Sequence, residues 1–129
     1  MLRLPGGVDA TVAVSGAHTD GRFTLITDVA PAGWSLPPHR HANESETITI
    51  VSGALWFEVD GERSELHAGD TVHVPAGTLH TGGTLGDEPV HRAVIFSPAG
   101  MEELFTALAA TDDPGEQLAL VQRHGWQFG

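Results

Sequence analysis

His39 and His41 stand one residue apart in the stretch GWSLPPHRHANESETITIVSG (Gly33–Gly53), and Glu46 follows five positions later. In an extended chain, residues two apart project to the same face, so both imidazoles can address one point. Glu46, on the next run, can add a carboxylate to that point. A second stretch, GDTVHVPAGTLHTGGT (Gly69–Thr84), offers His80 behind a Pro-x-Gly turn. Three imidazoles and one carboxylate suit a borderline divalent transition metal better than calcium or magnesium, which prefer all-oxygen shells.

Four ligands on a five- or six-coordinate ion leave one or two positions for water, substrate or dioxygen. Such an ion can polarise a bound enolate or carbonyl, deliver hydroxide, or, if redox-active, bring oxygen beside an electron-rich substrate. Glu46 has a second possible role as a catalytic base, because a carboxylate beside an apolar wall suits proton transfer. Ile48 and Ile50 share its face of a strand, and Trp56 and Phe57 lie on the neighbouring one. With His91, on a later strand, these make the expected substrate pocket. An apolar pocket holding one metal suits an aromatic or polyketide-like small molecule.

The elements that must position these groups are mostly strands. Thr11–His18 and Arg22–Ala30 alternate apolar and polar residues around a Thr-Asp-Gly turn. Pro31, Gly33, Pro37 and Pro38 then break regular pairing and force an extended approach to His39. Thr47–Val51 is β-branched throughout, which favours a strand carrying Glu46, Ile48 and Ile50 on one side. Ser52-Gly53 turns into Ala54–Val59, and Asp60-Gly61 is a strong two-residue hairpin signal leading to Glu62–Leu66. His67–Asp70 and Pro75–Gly77 are further turns flanking Thr71–Val74, and Val90–Ser97 reads as the last strand. Many short strands separated by turn signals about every 8–12 residues point to a closed or two-sheet β architecture.

The pattern then becomes helical. Met101, Leu104, Phe105 and Leu108 recur at helical spacing in Met101–Ala110, with Glu102 and Glu103 in the first turn. Asp113-Pro114-Gly115-Glu116 combines an N-cap, a proline at the first helical position and a capping glutamate, and opens a helix that stops near Gly125. The expected organisation is one domain over residues 1–129, with a β-barrel at about 8–98 and a helical segment at about 99–125. A net charge of −11, from 17 acidic and 6 basic residues, argues against a nucleic-acid partner and against anionic membranes. No apolar run approaches the roughly 20 residues that cross a bilayer, and MLRLPGGVDA lacks an apolar leader core, so a cytoplasmic protein is expected. With no cysteine, disulfides and thiol catalysis are excluded, and any metal is left to histidine and carboxylate.

The spacing G-x5-H-x-H-x4-E-x6-G is met at Gly33, His39, His41, Glu46 and Gly53, and G-x5-P-x-G-x2-H-x3-N at Gly69, Pro75, Gly77 and His80. The chain thereby resembles the cupins, whose two motifs these are, here separated by the fifteen residues Ala54–Ala68. The resemblance is to small single-domain, quercetinase-like members. It implies an all-β fold, a cupin β-barrel (double-stranded β-helix or jelly roll) with two C-terminal α-helices. It also implies one divalent metal held by His39, His41, Glu46 and His80. Iron, manganese or nickel would serve a dioxygenase acting on an aromatic or enol-bearing molecule, and zinc or copper would also fit the ligand set. The same fold and ligands would serve a non-redox isomerase, cyclase or lyase, and a third reading is a non-catalytic small-molecule binder. A homodimer is implied as in many relatives. One position departs from the pattern: Thr84 stands where asparagine is usual, which leaves the ligands intact but changes hydrogen bonding after His80.

Overall fold

A computed structural model describes residues 1–129. Its first strands are β1 (Leu2–Leu4), β2 (Val8–Val14), β3 (Thr24–Ala30), β4 (Ser35–His41) and β5 (Ser45–Ser52). They are followed by β6 (Ala54–Val59), β7 (Glu62–His67), β8 (Thr71–Val74), β9 (His80–Thr84) and β10 (Val90–Ser97). Helices α1 (Met101–Ala109) and α2 (Pro114–Arg123) come next, and β11 (Trp126–Phe128) closes the chain. One sheet runs β1-β2-β3-β10-β5-β8 and the other β11-β4-β9-β6-β7. The pairings are antiparallel, and the two sheets close face to face as the expected jelly-roll barrel.

Local chemistry explains most of these elements. On β5, Glu46, Ile48 and Ile50 point inward while Thr47 and Thr49 point toward solvent, a period-2 pattern carried by β-branched residues. Asp60 and Gly61 take φ of 50° and 81° between β6 and β7, the conformation a tight hairpin turn demands. Gly53 combines a φ of 81° with close approach: a Cβ there would sit 2.5 Å from the Pro89 carbonyl oxygen.

Four strands lie outside the sequence expectation, among them β4, which pairs on both sides of Pro37-Pro38 where the prolines were expected to break regular pairing. β1 and β11 are three-residue edge strands, too short to show periodicity. β9, HTGGT, is fully buried between β4 and β6 although glycine disfavours strands. Its glycines are required by packing, since a Cβ on Gly82 would meet Phe57 at 2.8 Å and one on Gly83 would meet Trp56 Nε1 at 2.6 Å. β2 also begins and ends earlier than expected. Ser15–His18 leave it for the turn, where the His18 amide donates to the Ser15 carbonyl at 3.0 Å.

The core lies between the sheets, where Ile26, Ile48, Ile50, Val94 and Phe96 face Leu55, Phe57 and Leu66. Helix α1 adds Met101, Leu104, Phe105 and Leu108 to the same cluster, and burying each such side chain contributes roughly 1.5–3 kcal/mol. Helix α2 is capped as expected, the Asp113 carboxylate accepting from the Glu116 amide at 2.9 Å. It buries no residue fully and packs with Leu120 and Val121 half-buried. No helix is long and apolar enough to cross a membrane.

Candidate metal centre

The two sheets contribute different donors to one point inside the barrel. His39 and His41 come from β4 and His80 from the neighbouring β9, where His39 and His80 are direct cross-strand partners. Glu46 comes from β5 in the opposite sheet. All four are buried.

A register shift in β4 makes this convergence possible. Leu36 pairs with Gly82 but His39 pairs with His80, so one extra residue is accommodated around Pro37-Pro38. Neither proline can donate to the ladder, which suits them to such an irregularity. The shift reverses the strand's alternation, so that His39 and His41 turn inward after a half-buried Leu36. It also brings the Pro37 carbonyl to His39, whose Nδ1–H donates to it at 2.7 Å. Beyond the second motif's turn, the Gly77 amide donates to the His41 carbonyl at 2.8 Å, tying that turn to β4. The His80 Nδ1–H donates to the Thr78 carbonyl at 2.9 Å. These two bonds orient both rings with Nε2 free to face the centre.

One nitrogen from each of His39, His41 and His80 lies within 4.8 Å of the other two. Glu46 Oε1 is 3.1 Å from His41 Nε2 and 3.2 Å from His80 Nε2. His80 therefore has a carbonyl at one ring nitrogen and a carboxylate oxygen at the other. Without a cation, both its nitrogens must carry protons to satisfy those acceptors. Burial opposes that charge, but the hydrogen bond and negative charge of Glu46, with the Thr78 carbonyl, outweigh it and raise the pKa of His80. Burial likewise pushes the Glu46 carboxyl upward, and the hydrogen bonds from His41 and His80 overcome it, holding Glu46 well below the usual carboxylate range. His39 has no such partner, and burial lowers its pKa to about 4, leaving a neutral ring near pH 7. Three clustered imidazole nitrogens, two of them against an ionised carboxylate oxygen, form a donor set that a divalent transition metal fits.

The cage is closed by aromatic and apolar groups. Trp126 on β11 stacks on His39 with ring centroids 4.9 Å apart and planes 10° from parallel, and meets His41 edge-on at 4.6 Å. Phe96 packs edge-on against His41 at 5.9 Å. On one side of the donors a cavity of about 50 Å³ is lined by Leu36, Phe96, Phe105 and Trp126 and by the ion pair Asp28–Arg92. On the other side a space of about 20 Å³ reaches Ile48 and Phe57.

The expected pocket residues divide accordingly. Ile48 and Phe57 face the donors, and Ile50 is buried in the core farther along β5. Trp56 and His91 require correction. Trp56 alternates with the inward Leu55 and Phe57, so its ring lies on the outer side, with the Arg63 guanidinium 4.5 Å from its centroid. His91 alternates with the inward Val90 and Arg92 and is exposed on the outer face of its sheet. What the sequence reading missed is Asp28, Arg92 and Trp126. The signal for the first two was strand parity: each is a charged residue in phase with buried apolar neighbours, Ile26 and Ala30 for Asp28, Val90 and Val94 for Arg92. Thr84, in place of asparagine, donates to the Pro31 carbonyl at 2.8 Å while its amide donates to the Trp34 carbonyl at 2.8 Å.

The cupin domain family matches residues 25–96, more than half of the chain. The chain is a cupin. Over 70 residues, 54% of its length, this cupin is 31% identical to quercetin 2,3-dioxygenase of Bacillus subtilis (strain 168), covering 21% of that protein. Over 118 residues, 84% of its length, it is 34% identical to germin-like protein 5-1 of Oryza sativa subsp. japonica, covering 51% of that protein. It thus spans about a fifth to a half of the length of these curated relatives. Among solved structures, KdgF from Halomonas sp. superposes with a TM-score of 0.66 at 22% identity, over 77% of this cupin and 86% of that chain. Likeness at that identity bears on the fold alone.

Proposed function

We propose that this cupin is a metal-dependent enzyme, a quercetinase-like dioxygenase acting on a small aromatic or enol-bearing molecule, with His39, His41, Glu46 and His80 as the ligands of one metal ion. The observation that carries the reading is the convergence of nitrogens from three buried histidines within 4.8 Å of one another, with the Glu46 carboxylate against two of them, inside an apolar barrel. Similarity to a quercetin 2,3-dioxygenase, 31% identical over 70 residues, supports the reaction class. Bound there, iron, manganese or nickel would supply Lewis acidity and one-electron chemistry toward oxygen.

The chain's own residues do the rest. The Pro37 and Thr78 carbonyls hold His39 and His80 in the tautomer that presents Nε2 inward. Glu46 is the carboxylate in place to accept a proton from a substrate hydroxyl at the centre, and it gains basicity when the hydrogen bonds from His41 and His80 that keep it ionised are released. Trp126, Phe96 and Phe105 exclude water from the cavity in which the reacting head group sits. A homodimer belongs to the same proposal. Val51 and Ile95, exposed on the outer face of the six-stranded sheet, mark the face it would use, and light scattering of the purified protein measures it.

The deciding experiment is oxygen uptake by protein reconstituted separately with iron, manganese and nickel, using flavonols and simpler enols. Consumption of oxygen in step with substrate is expected. Turnover that continues unchanged under strict anaerobiosis would replace the dioxygenase with a non-redox isomerase, cyclase or lyase.

A further inference from the structure

We infer that the cleft between α1, α2, β11 and the barrel, floored by Arg92 and Asp28, is the substrate-binding site, and that it takes a planar aromatic molecule bearing an anionic oxygen, a carboxylate or enolate. The inference rests on the proposed enzymatic reading only in calling the ligand a substrate. The cavity beside the histidines, at about 50 Å³, admits a head group and little more. A cleft of about 250 Å³ adjoins it, and the two share one wall made of Asp28, Leu36, Arg92, Phe105 and Trp126. Beyond that wall the cleft is lined mainly by apolar side chains, among them Val8, Trp34, Leu108 and Val121. Its size is near the lower end for small-molecule sites, where an apolar body with few placed polar groups is the rule.

Arg92 is the polar group in position to read such a ligand. It is the direct cross-strand partner of Asp28, at a point where β10 shifts register against β5 between His91 and Arg92. Nε and Nη2 donate to Asp28 at 2.9 and 2.6 Å, and the guanidinium carbon sits 4.9 Å from the Trp34 ring centroid. Side-chain exposures of 10% and 5% make this a buried pair. Buried ion pairs seldom stabilise a fold beyond what apolar residues of similar volume would, because desolvation consumes the Coulombic gain. Their presence in the wall between two cavities is accounted for by binding. Asp28 and Trp34 fix the guanidinium in place, and the Glu46 carboxylate lines the same cavity. Trp126 Nε1, in the same wall, is a donor that is buried and unpartnered. An unpartnered indole N–H beside a fixed guanidinium, in a cleft lined mainly by apolar groups, is a donor that an anionic oxygen would satisfy.

The test is calorimetric titration of EDTA-treated protein with naphthalene-2-carboxylate and its neutral isostere naphthalene-2-carboxamide. The carboxylate is expected to bind at least tenfold more tightly. Val121→Trp, which fills the cleft from α2 without touching the histidines, is expected to lose both ligands while keeping the parent's metal content. The paired change Asp28→Asn with Arg92→Gln is expected to bind the two ligands equally. Equal binding of the two by the parent protein, or unchanged binding by Val121→Trp, overturns the inference. Because the titration needs no metal, a chain that never binds an ion would sink the enzymatic reading and leave this result standing. Oxygen uptake without discrimination between the two ligands would do the reverse.

Discussion

Two buried polar clusters share the interior of this barrel, and they are satisfied in opposite ways. At Asp28–Arg92 the charges are matched within the protein: a two-pronged ion pair, set by one cross-strand register, closes on itself. At His39, His41, His80 and Glu46 the charges are mismatched. Lone-pair nitrogens meet a carboxylate that carries no proton, and only added protons or a cation can complete the cluster. The first cluster should therefore resist changes of solution conditions and fail when one partner is deleted. The second should tolerate deletions in the fold but respond to metal and to pH.

The largest expected effect is on metal content. His41→Ala and His80→Ala should each fall from one bound ion to less than a tenth while keeping the parent's far-ultraviolet circular dichroism. Stoichiometric metal in either variant, measured by elemental analysis, would remove it from the ligand set. Next in size is the single change Arg92→Leu, which strands the Asp28 charge in the barrel and should cost about 3–5 kcal/mol in urea denaturation. The double change Asp28→Leu with Arg92→Met should recover most of that loss, because both charges leave together. If single and double variants are equally unstable, the pair is not self-contained and the contrast fails.

Acidification should separate the clusters further. In the metal-free protein burial lowers His39 from 6.5 to about 4. Between those values the unfolded chain holds a proton that the folded chain does not, so stability falls as pH drops through that window. His80, raised by Glu46 against the pull of burial, has the opposite sign. Its contribution is complete below the unfolded value and is lost as pH rises through the folded one. The urea midpoint of EDTA-treated protein should therefore decline from pH 6.5 to 4, and His39→Gln should flatten that decline. An undiminished slope in the variant would assign the effect to another group. The smallest expected change is at Thr84→Val, which removes the donor to the Pro31 carbonyl and should cost about 1 kcal/mol without altering metal content.

The two clusters also differ in how far they could be read in advance. The grouping of His39, His41 and His80 was legible because their spacing matches two distinct motifs, and the turns that deliver them carry their own signals in Pro75, Gly77 and Gly53. The Asp60-Gly61 hairpin, the inward face of β5 and the cap of α2 were legible for the same reason, since each is a short-range requirement. β9 was not, because its glycines serve the rings of Phe57 and Trp56 on a neighbouring strand instead of any local preference. Trp56 and His91 were misplaced as pocket residues through strand parity, which decides inward from outward and turns on a single residue of register.

What the sequence alone determined is the inventory: which donors exist, that cysteine is not among them, and those strands and helices that carry a short-range signal. What only the tertiary structure decided is their meeting. The imidazoles and the carboxylate belong to different sheets, a shift at Pro37-Pro38 turns two of the rings inward, and a C-terminal strand lays Trp126 over them. Contacts between residues far apart in the chain depend on how two sheets close on each other. That closure is a property of the whole packed barrel, and no local run of residues records it.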